Sequence, residues 1–341
     1  MRCNTLGDWL IGQVKEASSR LPTDSLSGMK VLVTGGAGFL GSWMCDMLVE
    51  LGAEVVCLDN LSTGRIGNME HLIGRRGFRF IEGDVSSWRP NERFDIIING
   101  ASISSPDDYV RRPVETMMPN SLGLLNMLEH ARKTDAMVLY TSTSEVYGDA
   151  EVIPTPEDYW GNVNPVGVRS CYDESKRFGE ALCMAYHRQY GVDVRIARIF
   201  NTYGPRLDPE ARYARVIPRF IMQALRGEPL TIHGDGKQTR SFCYVTDMVE
   251  ALLKMTVLNS CKGEIINLGS PHETHIIDLA ETIRRLVGSK SELRFLPPRP
   301  DDPRRRCPDI SKAKRILGWE PRVPLEEGLK WTIKWFREVI G

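Results

Sequence analysis

Two short stretches carry the side chains that could take a proton and a hydride from an alcohol: Thr141-Ser142-Thr143-Ser144-Glu145-Val146-Tyr147-Gly148 and Tyr172-Asp173-Glu174-Ser175-Lys176. On a helix, Tyr172 and Lys176 stand about one turn apart, which puts the ammonium beside the phenol and favours its ionised form. A free phenol titrates near pH ~10, and each unit of lowering reflects about 1.4 kcal/mol of preference for the phenolate. With a cationic hydride acceptor close by, Tyr172 becomes a usable base. Thr143 and Ser144 add hydroxyls and Glu145 a carboxylate. The Tyr-x-x-x-Lys spacing alone is common on helices, where it marks a surface lysine beside a half-buried tyrosine, so the reading depends on what surrounds it.

What surrounds it begins with Val31-Leu32-Val33-Thr34-Gly35-Gly36-Ala37-Gly38-Phe39-Leu40-Gly41, an apolar strand running through glycines into an amphipathic helix. Gly35 permits the tight exit from the strand, Gly38 lets backbone N–H groups approach a pyrophosphate, and Gly41 lets the helix lie close on the sheet. The next strand, Glu54 to Leu58, ends in Asp59, which accepts from adenosine ribose hydroxyls and repels a 2′-phosphate. NAD is therefore favoured over NADP, with Arg65 the one nearby cation that could temper this. Phe39, Leu40, Asn60, Asp84, Val85 and Ala101 are expected to complete the cofactor contacts, together with Tyr172 and Lys176.

Apolar strands at Lys30–Thr34, Glu54–Asp59, Phe78–Glu82, Phe94–Asn99, Ala136–Thr141 and Val192–Arg198 alternate with helical patterns at Leu40–Leu51, Val114–Lys133 and Tyr172–Tyr190. This predicts an α/β fold, a Rossmann-type doubly wound parallel sheet, with the catalytic segment leaving a strand at its carboxyl end, where such sheets bind ligands. Beyond Asn201, helices at Val216–Arg226 and Val245–Thr256 and a Pro/Arg-rich loop at Ser291–Asp309 suggest a smaller substrate-binding lobe. The expected division is an extension over 1–29 with a possible helix at Thr5–Ser18, a cofactor-binding domain over 30–200, and a lobe over 201–341 partly interleaved with it.

Lys and Arg total 44 against 44 Asp and Glu, so no global field favours nucleic acid or an anionic membrane. Eight cysteines, none closer than twelve positions to the next, offer no metal-ligand or dithiol spacing, and no metal is expected. His272 and His275 lack a third ligand. No apolar run reaches the ~20 residues of a membrane span and the first thirty residues hold no signal-like apolar core. A cytoplasmic enzyme is expected.

From about Met29 to Val339 the chain resembles extended short-chain dehydrogenases acting on nucleotide sugars, most closely the UDP-glucuronic acid decarboxylases. The resemblance rests on the G-x-x-G-x-x-G turn, Thr141 to Gly148, Glu157 to Gly161, Asn164 to Arg169, Cys171 to Glu174, Ala197 to Arg206, Gln238 to Arg240, and Asp301 to Ile310. Departures are Asn99-Gly-Ala-Ser-Ile103 for a His-Leu-Ala-Ser-Pro type stretch, Val168 for Pro, Ser175 for Gly, and the segment Leu207–Arg215. The resemblance implies NAD used and regenerated, a 4-keto intermediate formed with Tyr172, Thr143 and Lys176, and loss of CO2 from that β-keto acid. It places Glu145 and Arg240 at the carboxylate and in reprotonation, although related epimerases use the Arg240 position to clamp diphosphate. It further implies a UDP-sugar held by Asn201, Arg206, Arg240, Arg299 and Arg304, with Arg305 and Arg306 in the same basic run, and a homodimer through the helices near Val114–Lys133 and Tyr172–Tyr190. Ser144 stands where 4,6-dehydratases carry the acid that protonates a leaving hydroxyl. A 4-epimerase remains the alternative, with a dehydratase and a non-catalytic cofactor-binding sensor behind it.

Overall fold

The computed structural model describes residues 7–21, 25–208, 215–298 and 305–340. Its centre is a seven-stranded parallel sheet formed by β1 (Lys30–Thr34), β2 (Glu54–Asp59), β3 (Phe78–Glu82), β4 (Ile96–Asn99), β5 (Met137–Thr143), β6 (Val194–Ile199) and a late strand, Ile265–Leu268. The order across the sheet is the late strand, then β6, β5, β4, β1, β2 and β3. It reverses direction between β1 and β4, and the crevice opens there, above Thr34 paired with Asn99. The strands read as near-continuous apolar runs because helices cover both faces: α2 (Phe39–Glu50) on one, α5 (Leu124–Thr134) and α6 (Ser170–Tyr190) on the other.

The helix expected over Val114–Lys133 is present as one continuous helical run with a π turn inside it. After α3 (Pro106–Arg111) come α4 (Pro113–Met118), a π turn at Pro119–Gly123, and α5. Pro119 has no N–H to give the preceding turn, and the widened turn absorbs the loss. The buried Asn120 amide there donates to Thr116 O at 3.0 Å and to Ser175 Oγ at 3.1 Å, tying this bend to α6.

Past Ile199 the chain builds the second lobe from β7 (Thr202–Tyr203), α7 (Val216–Arg226), β8 (Leu230–His233), β9 (Thr239–Ser241), β10 (Cys243–Tyr244) and α8 (Val245–Val257). It returns to the main sheet as β11 (Ile265–Leu268), which pairs in parallel with β6. That seventh strand escapes the sequence reading because it is four residues long between Gly263 and Gly269. Then follow β12 (Glu273–His275), α9 (Ile276–Val287), β13 (Leu293–Leu296), α10 (Ser311–Leu317) and α11 (Leu325–Ile340). The loop expected over Ser291–Asp309 thus contains β13, a strand made by pairing with β8 rather than by local pattern. His275 caps the approach to α9, its Nδ1 2.8 Å from Lys237 O.

The N-terminal helix, α1 (Asp8–Ser18), is part of the packed body. Leu10, Val14, Ala17, Leu21 and Leu26 are buried in the main core. Trp9 stacks on Trp331 of α11 at 5.4 Å, and the Gln13 side chain accepts from the Tyr244 hydroxyl at 2.9 Å. Among the described residues no helix is long and apolar enough to cross a membrane, and no group of three or more His, Cys, Asp or Glu could hold a metal ion.

Candidate active site

A cleft of about 880 Å³ runs from the glycine turn across the carboxyl ends of β1, β4 and β5 to the second lobe. Its first half is built by the turn. Gly35 has φ +71°, and a Cβ there would sit 2.8 Å from the Ala101 backbone; a Cβ on Gly41 would collide with the Gly35 carbonyl. Only glycine fits either position. Thr34 Oγ1 accepts from Gly100 N and Ala101 N at 3.1 and 3.2 Å, which fixes the loop leaving β4 against the turn. At the end of β2, Asp59 accepts from Ala37 N at 3.0 Å and Leu61 N at 2.8 Å, leaving each oxygen a lone pair for a ribose hydroxyl. Burial pushes its carboxyl up and these two amides oppose the shift. Asp84 accepts from Asn60 Nδ2 and Ser86 N, both at 2.8 Å, and those donors outweigh burial to hold its carboxyl below the ordinary value. Phe39, Leu40, Val85 and Ala101 line the same half of the cleft. Arg65 pairs with Asp208. A narrow glycine cradle ending in a carboxylate fits an adenine dinucleotide without a 2′-phosphate.

The reacting half gathers Thr143, Ser144, Glu145, Tyr172 and Lys176. Thr143 ends β5 and lines the cleft with Tyr172; its side chain accepts from Glu145 N at 3.3 Å. Ser142 Oγ donates to Glu180 Oε1 at 2.6 Å, Arg198 joins Glu180 at 2.7 Å, and Arg198 also reaches the Tyr147 hydroxyl at 2.8 Å. This buried network braces the turn that carries Ser144 and Glu145.

The expected electrostatics of the tyrosine and lysine are corrected here. The Lys176 ammonium lies 6.0 Å from the Tyr172 ring centroid and donates to Thr141 O at 2.8 Å. Burial is the largest influence on both groups, pushing Tyr172 up to about 12 and Lys176 down to about 7. Thr143 and Arg215 pull the phenol back, while Glu145 and Asp173 push it further. The protein's own groups leave the phenol above its ordinary value, and a cation beside it acts in the opposite direction.

The partner of Glu145 also differs from the expectation. Among the described residues its cationic neighbours are Arg169, at 2.5 Å, and Arg306, whose Nη2 lies 2.9 Å away; Arg240 is not one of them. Burial alone would raise the Glu145 carboxyl, and the two guanidiniums overcome it, keeping the group ionised. Arg240 sits on β9 near Gln238 and Phe242 at the cleft wall, donating to Thr239 O at 2.8 Å. Its strand, β9, pairs with β12, with Arg240 opposite Thr274. Arg306 was visible only as a member of a basic run and Arg169 only as part of a similar text; neither has a local signal that foretells a shared carboxylate.

Asn201 lines the cleft, and its buried Nδ2 has no partner among the described residues, a donor suited to phosphate. Arg206 is at the wall as well, but its Nη2 is held by Asp46 at 2.5 Å and its guanidinium lies 5.0 Å over Trp43. Its position is that of an anchor between the lobes. Arg299 and Arg304 lie outside the described residues.

Residues 31–269 match the family model described as the NAD dependent epimerase/dehydratase family. The chain belongs to that family. Among curated members, it is 51% identical to UDP-glucuronic acid decarboxylase 1 of Xenopus tropicalis, covering 91% of this chain and 72% of that one. It is 49% identical to UDP-glucuronic acid decarboxylase 5 of Arabidopsis thaliana, covering 92% and 91%. Among solved structures it is similar to the UDP-glucuronic acid 4-epimerase of Bacillus cereus in complex with UDP-glucuronic acid and NAD, with TM-score 0.82, 29% identity, and 91% and 100% coverage. The UDP-glucose 4-epimerase of Thermotoga maritima with UDP-glucose gives TM-score 0.83 at 34% identity, covering 92% and 100%. The protein is thus an NAD-dependent enzyme of the extended short-chain dehydrogenase type.

Proposed function

We propose that this enzyme decarboxylates UDP-glucuronate to UDP-xylose, with NAD used and regenerated in each turnover. The observation that carries the substrate is the identity of about half the residues, over nine-tenths of the chain, with UDP-glucuronic acid decarboxylases. The site supplies the matching chemistry. NAD, held by Gly35, Gly38, Gly41 and Asp59, supplies the hydride acceptor and returns the hydride. Tyr172 takes the proton of the sugar 4-hydroxyl, and Thr143, which pulls the Tyr172 phenol back toward its ordinary value, orients that hydroxyl. Lys176, anchored to the end of β5, supplies a charge that is gained as pH falls through about 7. Once C4 is a ketone, the C5 carboxylate leaves as CO2 and the electron pair passes to the carbonyl oxygen. The C5 carbon then takes a proton that originates in solvent, and we infer that Glu145, held between Arg169 and Arg306, directs it. In this reading Arg169 and Arg306 assist Glu145, and Arg240 takes the diphosphate with Asn201.

We read residues 30–200 as the cofactor-binding part and 201–341 as mainly the sugar-nucleotide lobe, with β11 returned to the first. A homodimer through α4, α5 and α6 fits the exposure of Val114 and Met117 on α4, Leu122 in the π turn and Phe178 on α6.

Turnover in deuterium oxide tests the reaction. Decarboxylation must place one solvent deuteron on C5 of a pentose product, whereas a 4-epimerase returns an unlabelled hexuronate. Mass and proton spectra distinguish the two, and an unlabelled six-carbon product contradicts the proposal.

A further inference from the structure

Asn267, on β11, is fully buried and stands opposite Arg198 in the pairing of β11 with β6. An amide is costly among the apolar residues of a central strand unless its polar atoms are paired, and here each of them is. Oδ1 accepts from the Tyr147 hydroxyl at 2.7 Å, and Nδ2 donates to Thr155 O at 2.9 Å and to Asp309 O at 3.3 Å. These partners lie on the two segments that bring Glu145 and Arg306 together. Tyr147 closes the short turn Ser144–Tyr147 that carries Glu145, and its oxygen also accepts from Arg198 Nη1 at 2.8 Å. On the other side, Thr155 N donates to Cys307 O at 2.9 Å and Asp309 N to Thr155 O at 3.0 Å, which fixes the chain directly after Arg306. A carboxamide is planar, so its oxygen and nitrogen hold the first segment at a set place relative to the second. Neither Asn267 nor Tyr147 lines the cleft.

We propose that Asn267 is the positioning residue for reprotonation of C5, setting the Glu145 carboxylate against Arg306 through Tyr147 on one side and Asp309 on the other. The inference rests on the decarboxylase reading, in which Glu145 acts after CO2 has left. Glu145 and Arg306 stand 161 positions apart in sequence, and Arg306 Nη2 comes to 2.9 Å from the carboxylate. In such a site a misplacement of about 1 Å can cost on the order of a hundredfold in the affected step. Thr143 on β5 and Tyr172 and Lys176 on α6, the groups of hydride transfer, lie outside the contacts of the Asn267 amide.

Two variants each break one side of the link. Tyr147→Phe keeps the ring and removes the bond on the Glu145 side. Asn267→Asp keeps an acceptor for Tyr147 and sets an oxygen against the Thr155 and Asp309 carbonyls, which breaks the Arg306 side. In a single turnover with UDP-glucuronate, both should reduce NAD and release CO2 within about twofold of wild type while UDP-xylose forms about tenfold or more slowly, so that a 4-keto pentose accumulates. In a Glu145→Gln background neither should slow UDP-xylose by more than about a further twofold, because the link acts through Glu145. Where Asn267→Asp does not fold, Tyr147→Phe decides alone. Equal slowing of all three steps, an unchanged UDP-xylose rate in either folded variant, or full further slowing in Glu145→Gln overturns this inference and leaves the decarboxylase reading standing; a wild type that releases no CO2 overturns both.

Discussion

At the residue scale the site is governed by burial. Tyr172, Lys176 and Asp173 all have their charged forms disfavoured by it, and Glu145 escapes only through two guanidiniums. Tyr172→Phe should leave NAD binding intact and cut turnover by about a hundredfold or more, read by steady-state kinetics. Glu145→Gln and Arg306→Ala should still reduce bound NAD and release CO2 in a single turnover while forming UDP-xylose slowly, because they act after the carboxylate has left. A normal rate of UDP-xylose formation from either would contradict that order. Arg240→Ala should instead raise KM with kcat nearly unchanged. Asp173, whose carboxyl is pushed up to about 7 mainly by burial and then by Glu145, has a buried oxygen without a partner among the described residues. Its folded form binds a proton that the unfolded form releases near pH ~4, so its contribution is fully present below that and is lost as pH rises through about 7. Asp173→Asn should therefore raise the thermal midpoint relative to wild type by about 1–3 °C at pH 8, with the gain gone at pH 4. Thr143, Tyr172 and Lys176 were legible because each has a fixed place in a short motif. The pairing of Glu145 with Arg306 was not, since 161 positions separate them and only the fold brings them together.

At the element scale the glycine turn and α1 behave differently. Gly35 and Gly41 announce the turn in sequence, and the coordinates show why: backbone atoms occupy the space a Cβ would need. Gly41→Ala should weaken NAD by about tenfold or more, measured by calorimetry, unless α2 shifts away from the turn, which a lowered thermal midpoint would reveal. The main strands were readable as apolar runs bounded by turns. β11 and β13 were not, because each has four residues and owes its form to a partner strand. The Val114–Lys133 helix was readable from its pattern, and the π turn at Pro119–Gly123 inside it has no signal beyond the proline itself. For α1 the sequence indicated a possible helix without a destination. With Trp9 stacked on Trp331 and the Lys334 ammonium 4.8 Å from the Trp9 ring, Trp9→Ala should lower the thermal midpoint by a few degrees and leave kcat alone.

At the scale of the whole molecule, one cleft joins a dinucleotide cradle to a sugar site, and the return of β11 to the main sheet ties the lobes by backbone pairing as well as by side chains. The exposed Met117, Leu122 and Phe178 predict a dimer by light scattering, converted to monomer by Phe178→Glu. Beneath all of this stands the claim that the carboxylate is lost. The direct measurement is to give wild-type enzyme and NAD UDP-glucuronate labelled with carbon-13 at C6 and to follow the label. The account predicts one labelled CO2 and one UDP-xylose per substrate, with no net change in the redox state of NAD; label retained in a UDP-hexuronate, with no CO2, would contradict it and make the enzyme a 4-epimerase.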